Sequence, residues 1–260
     1  MTNETCTPDA KPENHYDERV VGFADILGFA QLVEKADRNS QIRQRILEAL
    51  SNAQNAGKNL KHADFKAHFL SDCFYFSAEN SLEGFSAVSI ALSVATSNMQ
   101  NVGVYLRGGI TVGNAHHSED YIFGKAVNEA YWLESTIAKY PRVILGAKAV
   151  ALWENFGSLP KPMGVFVDRD KDDGVHHLLP FGAQIDFALQ LHDAMEDELS
   201  EDIKNAMNLP GRELQDQLGK CIDNPRVYQK LKWLANSWNA TIVTSSKILG
   251  EKASLTTIDI

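Results

Sequence analysis

The stretch Arg19-Val-Val-Gly-Phe-Ala-Asp-Ile-Leu-Gly-Phe29 decides the reading of this chain. Arg19 to Asp25 mixes β-branched and aromatic residues in a short run, the mark of a strand. That strand closes on an aspartate. Ile26-Leu-Gly-Phe29 then turns the chain into helical spacing, with Leu32, Val33, Ile42, Ile46, Leu47 and Leu50 at the apolar positions. The spacing breaks near Asp37-Arg-Asn-Ser40, where Ser40 is the expected cap of a second helix. A turn that opens a helix presents backbone N–H groups, and these suit a phosphate-bearing ligand.

Working outward, Asp64 to Ser77 reads as a β-hairpin with its turn near Ser71-Asp72. Ser81 to Gln100 is an amphipathic helix with Phe85, Val88, Leu92 and Ala95 buried. Val102 to Val112 is a strand, followed by a polar loop holding His116 and His117 and a short extended Tyr121-Ile-Phe. Gly124 to Tyr140 is helical until Pro141 stops it; Val143-Ile-Leu is a strand and Ala147 to Phe156 a short helix. This order gives an α+β fold, a sheet with helices on one face. After about residue 165 the pattern changes: Val165-Phe-Val and His177-Leu-Leu read as strands, Ile185 to Met207 and Gly211 to Trp238 as helices. The expected division is a flexible tail over 1–17, a core domain over 18–165, and an extension over 166–260 that packs on the core or on a dimer partner.

The 260 residues carry 34 acidic and 25 basic side chains, a net charge of −9, with 44% hydrophobic residues, which is the composition of a globular chain. The acidic balance argues against non-specific nucleic-acid binding, which needs a basic surface. Cys6, Cys73 and Cys221 form no CxxC pair, so neither a zinc site nor a disulfide framework is indicated. With no signal-like start and no apolar run long enough to span a bilayer, a cytoplasmic protein without membrane contact is expected. Adjacent histidines, His116-His117 and His176-His177, point to opposite faces of a strand and make poor metal pairs. The acidic run from Met195 to Glu201 reads as a solvated helix face.

Asp25 and Asp72 stand apart because each ends a strand beside a turn, and adjacent strands can bring both to one metal pair. Hard divalent cations take such oxygen ligands, with substrate phosphates completing the coordination. On spacing alone, either residue reads as a cap or turn residue sooner than as a ligand.

Four segments carry a resemblance. Phe23-Ala-Asp-Ile-Leu-Gly-Phe29 resembles the F-x-D-I-x-G-F opening of class III nucleotidyl cyclase domains, and Leu70-Ser-Asp-Cys-Phe-Tyr-Phe76 their second metal segment. Leu106-Arg-Gly-Gly-Ile-Thr-Val-Gly113 is similar to their R-x-G-I-x-x-G strand, and Phe123-Gly-Lys-Ala-Val-Asn128 to their W-G-x-x-V-N. Ala130-Tyr-Trp-Leu-Glu and Tyr140-Pro-Arg142 resemble the A-Y-x-L-E…YPR signature of the bacterial pyrimidine cyclases of the Pycsar anti-phage system.

The resemblance implies a ferredoxin-like catalytic core with a helical C-terminal extension, acting as a homodimer with its sites at the interface. It implies two divalent metal ions, Mn2+ or Mg2+, and a nucleoside triphosphate substrate. Asp25 and Asp72 would be the metal ligands, with a backbone carbonyl from Ile26. Leu27, Gly28 and Phe29 would supply phosphate-facing amides, Phe23 would belong to the nucleotide site, and Asn128 would orient the ribose. The base-reading positions of purine cyclases are here His68 and Tyr121, which favours a smaller base. The transition-state arginine of the family is here Trp132, so Arg107, Lys125 and Arg142 are the candidate replacement cations. The product would be cyclic UMP, favoured over cyclic CMP, serving as an alarm signal to a cyclic-nucleotide-sensing effector. The rival readings are an adenylate or guanylate cyclase with an atypical pocket and a non-catalytic cyclase-like dimerisation module.

Overall fold

The structure, a computed structural model, describes residues 16–58, 64–155, 166–194, 199–250 and 254–260. Residues 1–15 of the expected tail, Val165, Phe156 and most of the acidic run at 195–201 lie outside the described residues, and Asp17 already opens the first strand.

The order begins β1 (Asp17–Ile26), α1 (Phe29–Arg38), α2 (Ser40–Lys58), β2 (Lys66–Leu70), β3 (Cys73–Glu79), α3 (Leu82–Gln100) and β4 (Leu106–His117). β1 is central, antiparallel to β3 on one side and to β4 on the other, and β2 lies outside β3. This is the βαββαβ arrangement of two interlocked split units, with the first crossover made by two helices. β5 (Ile122–Gly124) pairs with the end of β4, α4 (Lys125–Trp132) runs into a π-helical turn at Leu133–Ile137, and β6 (Val143–Leu145) lies parallel to β4.

Side chains alternate across β1, and both of its faces are covered. Val20, Ala24 and Ile26 join Phe74, Phe76 and Ala78 of β3 against Phe85, Val88 and Leu92 of α3. Val21 and Phe23 face the other way, onto Ala126, Val127 and Ala130 of α4. The expectation of helices on one face is therefore corrected: α3 covers one side and α4 part of the other. Double coverage is why Val20 to Ala24 reads as an unbroken apolar run.

After α5 (Ala147–Glu154) come β7 (Val167–Arg169) and β8 (His176–Leu178), which continue the same sheet because β8 pairs with β6. Three helices finish the chain: α6 (Gly182–Ala194), α7 (Glu201–Lys220) and α8 (Pro225–Leu249). The expected helix from Ile185 to Met207 is interrupted, and Pro210-Gly211 lies inside α7 instead of starting a helix. A Cβ on Gly211 would sit 2.4 Å from the Trp238 ring, so this glycine lets α7 press against α8. Packing of Leu214, Leu218, Leu231, Leu234 and Trp238 overrides the local cost of a helical proline. Tyr105, just before β4, joins that cluster and ties the extension to the core.

Two smaller corrections have local causes. Asn39, not Ser40, caps α2, since its side-chain oxygen accepts the Gln41 N–H at 2.9 Å. His116 and His117 belong to β4 and not to a loop, because β5 pairs back on them.

Candidate active site

The site is built where β1 ends. Asp25 lies opposite Cys73 of β3 and opposite Arg107 of β4. Ser71, in the two-residue turn between β2 and β3, holds φ 57, and the Ile26 N–H donates to the Asp72 carbonyl at 3.1 Å, pinning the hairpin tip to the end of β1. Ligand atoms of Asp25, Asp72 and Cys73 consequently lie within 4.8 Å of one another, all half-buried.

The electrostatics are unfavourable for isolated carboxylates. Burial, then the negative charges of Asp72 and Glu134, push the Asp25 carboxyl up to about 6, with Arg107 opposing. Burial and the same aspartates push the Cys73 thiol up to about 11, so at neutral pH it is a protonated neighbour, 4.0 Å from Asp25 Oδ1 and 3.9 Å from Asp72 Oδ1. The donor set for a cation is thus the two carboxylates. Crowded oxygen donors of this kind fit a hard divalent ion, which relieves their repulsion.

The turn that follows is shaped by Gly28, whose φ of 72 is the left-handed conformation that glycine adopts without strain. The Leu27 N–H donates to the Tyr105 carbonyl at 2.9 Å, so the expectation that it faces phosphate is corrected. The amides of Gly28 and Phe29, at the start of α1, have no intrahelical acceptor and remain suited to an anion. Beside this turn opens a cavity of about 740 Å³ that Leu27 and Gly28 line together with Gln31 and Lys35 of α1 and Lys230 of α8.

The remaining expected residues fall in different places. Phe23 is buried, its ring 4.9 Å from Tyr75 and 5.6 Å from Tyr131, so it is a packing residue beneath the site and not a nucleotide contact. His68 pairs with Tyr75 across β2 and β3 and faces His117, the ring centroids 6.5 Å apart. Tyr121 is 67% exposed beside β5. Asn128 and Lys125 are exposed on α4, whose buried face is Ala126, Val127 and Ala130.

Of the candidate cations, Arg107 is held by Glu134, its Nε 2.5 Å from Oε1. Arg142 is corrected outright. It is 1% exposed, bonded to Asp170 at 2.5 Å and to Asp173, and stacked by Tyr140 and Trp233, which makes it a structural cation. Sequence reasoning did not single out Glu134, Cys73 or Lys230. Glu134 was within reach, since it belongs to the quoted A-Y-x-L-E segment; Lys230 carries no local signal at all.

No family model matches the chain, and no curated protein matches it. Solved structures do. The crystal structure of the adenylyl cyclase CyaB from P. aeruginosa is 16% identical, covers 63% of this chain and 94% of its own, and has a TM-score of 0.45. An adenylate/guanylate cyclase/hydrolase from Silicibacter pomeroyi is 16% identical over 63% of this chain and 95% of its own, with a TM-score of 0.44. A class III adenylyl cyclase-like ATP-binding protein from Pseudomonas aeruginosa is 17% identical over 53% of this chain and 34% of its own, with a TM-score of 0.34.

Proposed function

We propose that this chain is a nucleotidyl cyclase, and specifically a pyrimidine cyclase that converts UTP, or alternatively CTP, to the 3′,5′-cyclic monophosphate and pyrophosphate. The observation that carries the reading is the convergence of Asp25 and Asp72 at the end of β1, beside the open start of α1. A close carboxylate pair costs stability without a cation, and it stands next to amides suited to phosphate. Two divalent ions, Mn2+ or Mg2+, held by Asp25, Asp72 and the Ile26 carbonyl, would activate the ribose 3′-hydroxyl and neutralise charge at the α-phosphate. The chain's own part is positional. Gly28 and Phe29 amides receive phosphate oxygens, and Arg107 keeps buried Glu134 neutralised beside the reacting centre. In the reaction the 3′-oxygen bonds to the α-phosphorus as the bond to the pyrophosphate oxygen breaks.

The protein works as a homodimer in this reading. Tyr121, just before β5, Phe123 on β5, and Tyr131 and Trp132 on α4 are each at least half exposed, and exposed aromatic side chains are enriched at interaction sites. Asn128 lies on that same outward side of α4 and would orient the ribose in the partner's site. His68, which faces His117, and Tyr121, next to the Ile122 that pairs with His117, would read the base. The cyclic product would act as an anti-phage alarm that a separate effector senses, a role that rests on the resemblance of the Tyr140-Pro-Arg142 signature.

Equal ATP, GTP, CTP and UTP are incubated with the protein and Mn2+, and products are identified by mass. A single cyclic pyrimidine is expected, and Asp25→Asn or Asp72→Asn should lower turnover by roughly 10³-fold, the several-kcal/mol scale of metal-ion catalysis. A cyclic purine would replace this reading with the atypical purine cyclase. Bound nucleotide without product would replace it with the non-catalytic module.

A further inference from the structure

Lys230 lies on α8, far along the chain from the residues of the catalytic core, yet it lines the cavity that starts at Leu27 and Gly28. Its side chain is half-buried and makes no ion pair among the described residues. Burial and the positive charge of Arg107 push its ammonium down from the ordinary lysine range, and Glu134 pulls it back. It is therefore close enough to the Arg107–Glu134 pair beside Asp25 to feel both charges. Two carboxylates also line the cavity: Asp216 is paired with Lys220, and Glu213 and Asp216 act on the Tyr105 phenol. Gln31, Lys35, Lys220 and Lys230 line the same cavity and are neutral or cationic, and Gln31 Oε1 is the side-chain atom nearest a Cβ built on Gly28, at 3.9 Å.

We propose that Lys230 is the cation that binds the β- and γ-phosphates of the substrate, supplied by the C-terminal extension to the site at the end of β1. The proposal rests on the cyclase reading and deepens it. Phosphates leaving the Gly28 and Phe29 amides enter a cavity of about 740 Å³, in the size range of small-molecule sites. There they meet an ammonium that is partly desolvated and held near another cation, a strain that a polyanion relieves. Of the three cations expected from the sequence, Arg107 is held by Glu134 and Arg142 by Asp170 and Asp173, while Lys125 lies on the outward side of α4. The extension is then part of the phosphate site as well as a support for the sheet.

The test uses the full chain and two readouts: binding of inorganic triphosphate with Mn2+ by calorimetry, and KM against kcat for whichever nucleotide the wild type cyclises. Lys230→Met should weaken triphosphate binding by about tenfold or more and raise KM, and Lys230→Arg should restore most of both. Lys148→Met removes an exposed lysine paired with Glu18 and should bind as wild type, which controls for overall charge. Wild-type triphosphate affinity in folded Lys230→Met, or in Lys230→Gln should the Met variant misfold, overturns the proposal. A wild type that makes no cyclic nucleotide refutes the cyclase reading instead, and the triphosphate measurement still decides the role of Lys230.

Discussion

Two charged clusters lie on one sheet and are built in opposite ways. Around Arg142, just before β6, burial is answered by bonds. The guanidinium reaches Asp170 and Asp173, Tyr140 and Trp233 lie 5.3 Å from its centre, and the Trp233 indole donates to the same Asp170 at 2.9 Å. Burial would raise the Asp170 carboxyl, but the Asp172 N–H, the Trp233 indole and Arg142 more than offset it and hold it below its usual value. Around Asp25, on the strand beside Arg107, three carboxylates meet one arginine, and Glu134 already holds that arginine. There Asp25 is raised, not lowered. The cluster that supports the fold pairs its charges within the chain, through the two terminal nitrogens of Arg142, while Arg142 Nε has no hydrogen-bond partner among the described residues. The cluster at the end of β1 is incomplete, and an incomplete charge set is the physical trace of a ligand still to come.

The contrast is broken most directly at Arg142. Arg142→Met leaves Asp170 buried without its cation, and urea unfolding should show a loss of about 3–5 kcal/mol, the cost of removing one partner of a buried pair. Adding Asp170→Asn should recover part of that loss. A single variant as stable as wild type would mean that the cluster is not structural. The opposite sign is expected at the other cluster. Without divalent cations, Asp25→Asn or Asp72→Asn should leave stability unchanged or raise it, because each removes a like-charge contact. Mn2+ at 100-fold above its dissociation constant should stabilise the wild type by about 2.7 kcal/mol and the two variants by much less. Equal Mn2+ stabilisation of all three would remove Asp25 and Asp72 from the metal site.

The same contrast explains what could be read from the sequence. The start of α3 at Ser81, whose hydroxyl accepts the Gly84 N–H at 3.0 Å, and the turn at Ser71-Asp72 are local signals, and both lie within a residue of where the sequence puts them. The pairing of Asp25 with Asp72 was visible because two short motifs end adjacent strands. The role of Arg142 was not, because Asp170, Asp173 and Trp233 lie 28, 31 and 91 residues further on. Lys230 was hidden for the same reason: nothing near it in sequence records that α8 packs beside the turn after β1. The polarity of His116-His117 suggests a loop, whereas the structure buries His117 within a polar network on the sheet.

That network gives the smallest of the expected effects. Arg19 Nε donates to Ser77 Oγ at 3.0 Å, and the same hydroxyl shares a hydrogen bond with His117 Nδ1, 2.7 Å away. Burial, then Arg19, Lys66 and His68, hold His117 down to about 3 from its ordinary 6.5, with Asp64 opposing. The unfolded chain takes up a proton below pH 6.5 that the folded chain refuses until about pH 3, so stability falls as pH falls through that window. The slope is about 1.4 kcal/mol per pH unit, or about 2 kcal/mol lost by pH 5. His117→Asn keeps an acceptor for Ser77 but has nothing to protonate, so its unfolding free energy between pH 7 and pH 5 should be flatter than that of wild type by this amount. Parallel curves would mean that His117 is already charged in the fold, which would place an uncompensated cation beside Arg19 and Lys66.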